Sequence, residues 1–147
     1  MPSVFLDTSY LVAFLNPDDV HHKSAVSISK NISMRGDYST YVSIPVLTEF
    51  LGFFSKYGPK LRLAASMAVK QLMNNNAVNV LNSEKTEFLE ALELYSSRQD
   101  KNYSLVDCHI MCMVRRMEIS GVLSFDGDFD NEGLYQIDSE KKMAALD

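Results

Sequence analysis

Four acidic residues stand where short apolar runs or helix starts can bring them together: Asp7, Glu49, Asp107 and Asp126. Asp7 directly follows Val4-Phe5-Leu6, and Asp126 directly follows Val122-Leu123-Ser124-Phe125. Carboxylate oxygens are hard ligands, and a group of three or four suits Mg²⁺ or Mn²⁺ rather than zinc. Ions of that kind polarise a phosphoryl oxygen, generate a hydroxide nucleophile and steady a leaving oxygen. Without a well-placed histidine, such a cluster has little other chemical use. Asp7, Asp107 and Asp126 are the candidate metal ligands, and Glu49 joins them as a candidate catalytic acid.

Each acid also has a structural reading. Glu49 lies three residues after Val46 and four before Phe53, on the same helical face as Val46, Phe50 and Phe53. A glutamate on an apolar face is costly unless it is paired or binds metal. The alternative is that Leu47, Leu51 and Phe54 form the buried stripe and Glu49 points to water. Asp107 follows Ser104 at the capping-box spacing, and an acid in a first helical turn is common without any chemical role. The two roles are compatible, because a helix N-terminus favours the charged carboxylate and a metal ligand must be ionised. Asp126, Asp128 and Asp130 alternate in a way that resembles a calcium loop. An EF-hand needs Gly at its sixth position and Glu at its twelfth; counted from Asp126, these are Asn131 and Ile137. That reading fails. Asp126 is the better ligand candidate because it touches the strand end.

Positioning these acids requires a particular order of elements. Val4-Phe5-Leu6 reads as strand one, with Thr8 or Ser9 capping a helix through Tyr10 to Leu15. Asn16-Pro17-Asp18-Asp19 breaks that helix, and a second follows with Ala25, Ile28 and Ile32 on one face. Tyr38 to Ser43 is strand two. Ser43 caps a helix with Pro45 in its first turn, running to Tyr57 before Gly58-Pro59. Leu61, Ala64, Ala68 and Leu72 mark another helix, and Val78 to Leu81 is strand three. Ser83 opens a helix with Phe88, Ala91 and Tyr95 in line. Ser104 opens the next, with Val106, Ile110, Met113 and Met117 in line. Gly121 to Phe125 is strand four, Leu134 to Ile137 strand five, and a polar tail starts near Asp138. Strands separated by helices predict a mainly parallel five-stranded sheet covered on both faces. In such sheets ligands bind beyond the carboxyl ends of the strands at a switch point. Asp7 and Asp126 meet there only if strands one and four are neighbours.

The 147 residues fit one domain, 1–147, with ordinary globular composition: 46% hydrophobic and 22% charged. No apolar run approaches a membrane span, and Met1 to Phe5 lacks the basic region of a secretion signal, so a cytoplasmic protein is expected. Cys108 and Cys112 fall in one helix and read as reduced core thiols. The net charge of −5 argues at first against a nucleic-acid partner. Without the four named carboxylates, however, the 19 acidic residues nearly balance the 14 basic ones. Metal ions in the site would cancel the excess locally. His21, His22, His109, Arg115 and Arg116 read as packing or solvent-facing residues. Phe50, Phe53, Phe54 and Tyr57 have rings that can stack on bases but read as core or dimer packing.

The run Val4-Phe5-Leu6-Asp7-Thr8-Ser9 resembles the opening of PIN-domain nucleases. Ser43-Ile44-Pro45 with Glu49 is similar to their second motif. Ser104-Leu105-Val106-Asp107 and Val122 to Phe129 resemble the third and fourth. The resemblance implies a three-layer α/β/α fold and a metal-dependent endoribonuclease that hydrolyses RNA phosphodiester bonds. It places Asp7, Glu49, Asp107 and Asp126 in one acidic pocket. Thr8 or Ser9 would orient Asp7 or the attacking water. Ser104 and Asp128 are further accessory candidates; the family's pattern varies at Asp128. The short single-domain form looks most like VapC-type toxins, which implies a homodimer and a small antitoxin partner. A free-standing RNA-processing nuclease and a non-catalytic nucleic-acid-binding module are the alternatives. An aspartyl phosphatase would need a second Asp two residues after Asp7, where Ser9 stands.

Overall fold

A computed structural model describes residues 1–146; Asp147, the last residue of the expected domain, lies outside them. The chain runs β1 (Ser3–Leu6), α1 (Thr8–Leu15), α2 (His22–Arg35), β2 (Ser39–Ser43), α3 (Ile44–Phe54), α4 (Pro59–Asn74) and β3 (Val78–Leu81). It continues through α5 (Lys85–Ser97), α6 (Leu105–Met117), β4 (Gly121–Leu123), α7 (Asp128–Asn131), β5 (Gln136–Ile137) and α8 (Glu140–Ala144). The sheet has the order β3-β2-β1-β4-β5, and every pairing in it is parallel. Crossovers between parallel strands are right-handed. The helices that carry the chain outward from β1 to β3 therefore cover one face. Those that return it to β4 and β5 cover the other. The result is a three-layer α/β/α domain.

β1 lies between β2 and β4, with Leu6 in register with Leu123. The strand order reverses between β1 and β4, so their carboxyl ends open the crevice that the sequence required. Val4, Phe5, Val42, Val122 and Leu123 are fully buried. The apolar runs of β1 and β4 suit a sheet buried on both faces.

Several element boundaries differ from the sequence reading, each for a local reason. Asp7, not Thr8 or Ser9, occupies the N-cap of α1 and makes no side-chain cap bond. Ser43 does occupy the N-cap of α3, but its hydroxyl is hydrogen-bonded to His109 Nε2 at 2.8 Å instead of capping. Glu84, not Ser83, caps α5, in a reciprocal capping box with Glu87. β4 stops at Leu123 because Ser124 turns its hydroxyl to Asp7. The stretch after Asp138 carries α8, capped by Ser139, with Met143 buried in the core.

The C-terminal end of α7 is held by an ion network at Glu132. Arg98 and Arg115 both reach Glu132 at 2.9 Å, and the Tyr103 hydroxyl donates to it at 3.3 Å. The Arg98 hydrogen bond, aided by Arg115, draws the Glu132 carboxyl down to about 2. The ends of α5 and α6 are thereby tied to the segment that follows Asp126.

Gly121 sits where β4 and β5 approach closely. A Cβ there would lie 2.7 Å from Ile137 Cδ1 and 3.1 Å from the Tyr135 carbonyl oxygen. Gly121→Ala is therefore expected to destabilise the fold by about 1–3 kcal/mol, the usual cost of overpacking. Urea denaturation checks this, and an unchanged midpoint would show that β5 yields freely.

Candidate active site

Asp7 leaves the end of β1 and is 2% exposed. Its Oδ2 accepts two hydroxyl hydrogen bonds, from Ser9 at 2.8 Å and from Ser124 at 2.7 Å. Ser9 and Ser124 also stabilise the start of the turn after β4, because they accept from the backbone N–H groups of Phe125 and Asp126 respectively. One lattice of small hydroxyls thus joins the ends of β1 and β4 and turns the Asp7 carboxylate in one direction. Asp107 sits in the first turn of α6 at 9% exposure. Its Oδ2 accepts from the Ser104 backbone N–H at 2.9 Å, and the Ser104 hydroxyl accepts from the Asp107 N–H at 3.0 Å. The capping role and a place in the acidic cluster coexist, as the residue pattern allowed.

Asp7, Asp107 and Asp126 each offer a carboxylate oxygen, and these oxygens lie within 4.8 Å of one another. They line an open pocket of about 450 Å³ together with Thr8, Ser9 and Glu49. Glu49 is half-buried at the edge of a stripe formed by Val46, Leu47, Phe50 and Phe54. It belongs to neither extreme of the sequence reading, since Phe53 and Leu51 are both substantially exposed. Asp128 is not in the close group of three oxygens. Its backbone N–H instead donates to Asp126 Oδ1 at 3.0 Å, where Asp126 precedes the N-terminus of α7.

The electrostatics of the pocket are dominated by burial and mutual repulsion. Burial raises the Asp7 carboxyl to about 7, with the Asp126 charge as the second cause, against the two serine hydrogen bonds. Burial also lifts Asp107 to about 6, opposed by the Ser104 backbone N–H and reinforced by Asp126. No lysine or arginine lines the pocket. Among the described ion pairs none involves these three aspartates or Glu49. Several carboxylates packed together without a cationic partner are unfavourable alone. The donor set therefore fits a hard divalent cation. The Thr8 hydroxyl supports the fit, because it is buried and has no hydrogen-bond partner among the described residues.

Other sequence candidates fall outside this pocket. His109 is buried on Ser43, and burial lowers its pKa. His22 Nδ1 bonds the Ala13 carbonyl. Arg116 pairs with Glu90 and Glu87. Cys108 and Cys112 are free thiols. A separate hollow of about 360 Å³ between α1, α2 and α4 is lined by residues such as Leu11, Ile32 and Leu72, with no charged group. Several residues in or beside the pocket were not singled out from the sequence as site residues, among them Ser124, His21, Phe53 and Phe125. Ser124 holds Asp7, while His21 and Phe53, read as packing, line the pocket wall. The one available signal was the hydroxyl at the end of strand four.

Carboxylates gathered at the switch point of an open parallel sheet define a class of α/β domain that handles its ligand at the strand ends. The PIN domain family matches residues 4–132, and the chain belongs to it. No curated protein matches the chain. Solved structures do, among them VapC20 of Mycobacterium tuberculosis, described as a sarcin-ricin loop cleaving toxin. That protein is 25% identical, with a TM-score of 0.75 over 89% of this chain and 95% of that one.

Proposed function

We propose that this single PIN-like domain is a metal-dependent endoribonuclease, acting as the toxin of a type II toxin–antitoxin pair. The observation that carries the proposal is the cluster of Asp7, Asp107 and Asp126, with close oxygens and, among the described residues, no lysine or arginine in the pocket. Asp7, Asp107 and Asp126 would hold Mg²⁺ or Mn²⁺, with Glu49 facing the same pocket as the fourth acid. Such a cation supplies Lewis-acid polarisation of a phosphoryl oxygen and acidifies water at neutral pH. Ser9 and Ser124 would orient Asp7 for this role by donating their hydroxyls to its Oδ2. Ser104 fixes Asp107 in the same way. Glu49, half-buried, lines the same pocket. Thr8 places a hydroxyl without a partner in the pocket wall.

The partners follow from this reading. RNA is the proposed substrate, and VapC20 is described as a sarcin-ricin loop cleaving toxin. A second copy of the chain is the proposed dimer partner. Phe88, Leu92 and Tyr95 on α5 are 49%, 42% and 50% exposed and share one helix face. Exposed apolar patches of this kind mark interfaces. A small antitoxin would silence the pocket. Among the described residues no helix is long and apolar enough to cross a membrane; the toxin reading, with RNA as substrate, carries the proposal of a cytoplasmic location.

The direct test is cleavage of single-stranded RNA by protein purified free of host nuclease. Cleavage is expected with Mg²⁺ or Mn²⁺ and is expected to stop on chelation and return on metal addition. Protein that binds Mn²⁺ yet leaves RNA intact would instead be a binding module.

A further inference from the structure

The proposed nuclease has an unusual difficulty with its substrate. RNA is a polyanion, the chain carries a net charge of −5, and no lysine or arginine lines the pocket. A cation held by the acids can receive the scissile phosphate. It cannot by itself hold the nucleotides on either side. The pocket wall offers a different kind of surface. The His21 ring lies flat on Phe125, with centroids 4.5 Å apart and planes 2° from parallel. Both rings line the acidic pocket, and Phe125 immediately precedes Asp126.

This stack is pre-organised. The His21 backbone N–H is fixed by Asp19 Oδ1 at 2.8 Å, and Phe125 is fixed by its N–H bond to Ser9 Oγ at 3.0 Å. Phe125 also stacks on buried Tyr10, with centroids 6.4 Å apart. His21 itself is exposed. The three rings form a ladder that begins in the core and ends at an exposed planar ring beside the metal ligands. On the same pocket, Phe53 is 42% exposed and stacks on Tyr57 at 5.1 Å.

We propose that the His21–Phe125 stack is a nucleobase platform, on which an unpaired base next to the scissile phosphate rests. The proposal rests on the nuclease reading above. Stacking is the recognition mode that remains when basic contacts are scarce, and it is open only to bases out of a helix. The substrate is therefore an RNA loop or single strand, and a paired segment is refused.

The test compares steady-state cleavage of a single-stranded RNA by the wild type, His21→Ala and His21→Trp. Each is also given the same RNA with the nucleotide on either side of the cut made abasic. His21→Ala is expected to raise KM about tenfold, as loss of one base stack does, with a smaller change in kcat and unchanged Mn²⁺ affinity. His21→Trp is expected to restore KM. The abasic change should raise KM for the wild type and add little for His21→Ala. If the alanine and abasic changes leave KM alone while the wild type cleaves, the platform is wrong and the nuclease stands. The platform is also wrong if tryptophan fails to rescue, because the imidazole then acts by charge or hydrogen bonding. A wild type inert on RNA defeats the nuclease reading and the platform with it.

Discussion

Asp7→Asn is expected to abolish RNA cleavage while making the metal-free protein more stable at neutral pH. The loss of activity should be on the order of a thousandfold or more, because several kcal/mol of transition-state stabilisation depend on a correctly held cation. The gain in stability follows from burial. Asp7 is 2% exposed and lies beside Asp126 and Asp107, so its carboxyl is lifted to about 7. A carboxyl whose folded pKa is raised adds stability that is complete below its unfolded value. That stability is lost as pH rises through the folded value. At about pH 8 the ionised Asp7 therefore costs the metal-free fold something on the order of a few kcal/mol. Asparagine removes the charge and keeps an oxygen that can accept from Ser9 and Ser124. The melting temperature without metal should thus rise in Asp7→Asn at about pH 8, and the difference should shrink toward about pH 4. Added Mn²⁺ should stabilise the wild type more than the variant. A variant less stable than wild type at every pH would mean that the carboxylate is needed for the fold itself.

Metal binding should also be strongly pH-dependent. A cation entering the cluster must displace protons held by Asp7 and Asp107, whose carboxyls sit at about 7 and about 6. The Asp126 charge raises both carboxyls, so deprotonating either is opposed by the same neighbour. Above both values little competition remains. Below both, each pH unit should weaken apparent affinity by up to about a hundredfold, one factor of ten for each proton. From about pH 8 to about pH 5 the accumulated loss should approach a thousandfold. Calorimetric titration with Mn²⁺ in buffers of different ionisation enthalpy measures affinity and proton release together. Cleavage at limiting metal should fall over the same range and recover at saturating metal. An affinity constant across that range would show that both carboxylates are already ionised without metal.

Much of the architecture was legible because strands and helices announce themselves locally. Val4 to Leu6, Val78 to Leu81 and Val122-Leu123 are short apolar runs, and the helical patterns between them force crossovers and a parallel sheet. Breakers such as Asn16-Pro17 and Gly58-Pro59 marked the breaks between helices. Boundaries were less legible where a side chain had two possible partners. Ser43, Ser83 and Thr8 look like caps in sequence. What lies nearby in space decides the outcome: the Ser43 hydroxyl turns to His109, and the Thr8 hydroxyl is buried with no partner among the described residues. α5 shows the same limit, because periodicity marks Phe88, Ala91 and Tyr95 as one face without saying what covers it. Only Ala91 of the three is buried within the chain.

The four acids are a feature of the sequence, and so is the chemistry that clustered carboxylates would permit. Residue type decides that much, because hard oxygens favour hard cations in any fold. Their meeting is a tertiary fact. Asp7 and Asp126 are 119 residues apart in number and come together only because β4 pairs with β1, not β3. Local pattern cannot choose that pairing, since periodicity marks each strand without saying which strand lies beside it. The same pairing brings the Ser124 hydroxyl onto Asp7 and the Phe125 ring under His21, contacts that no spacing along the chain foretells. The sequence supplies the charges; the order of strands decides which of them share one pocket, and the burial of Asp7 and Asp107 there without a cationic partner is what fits that pocket to a metal ion.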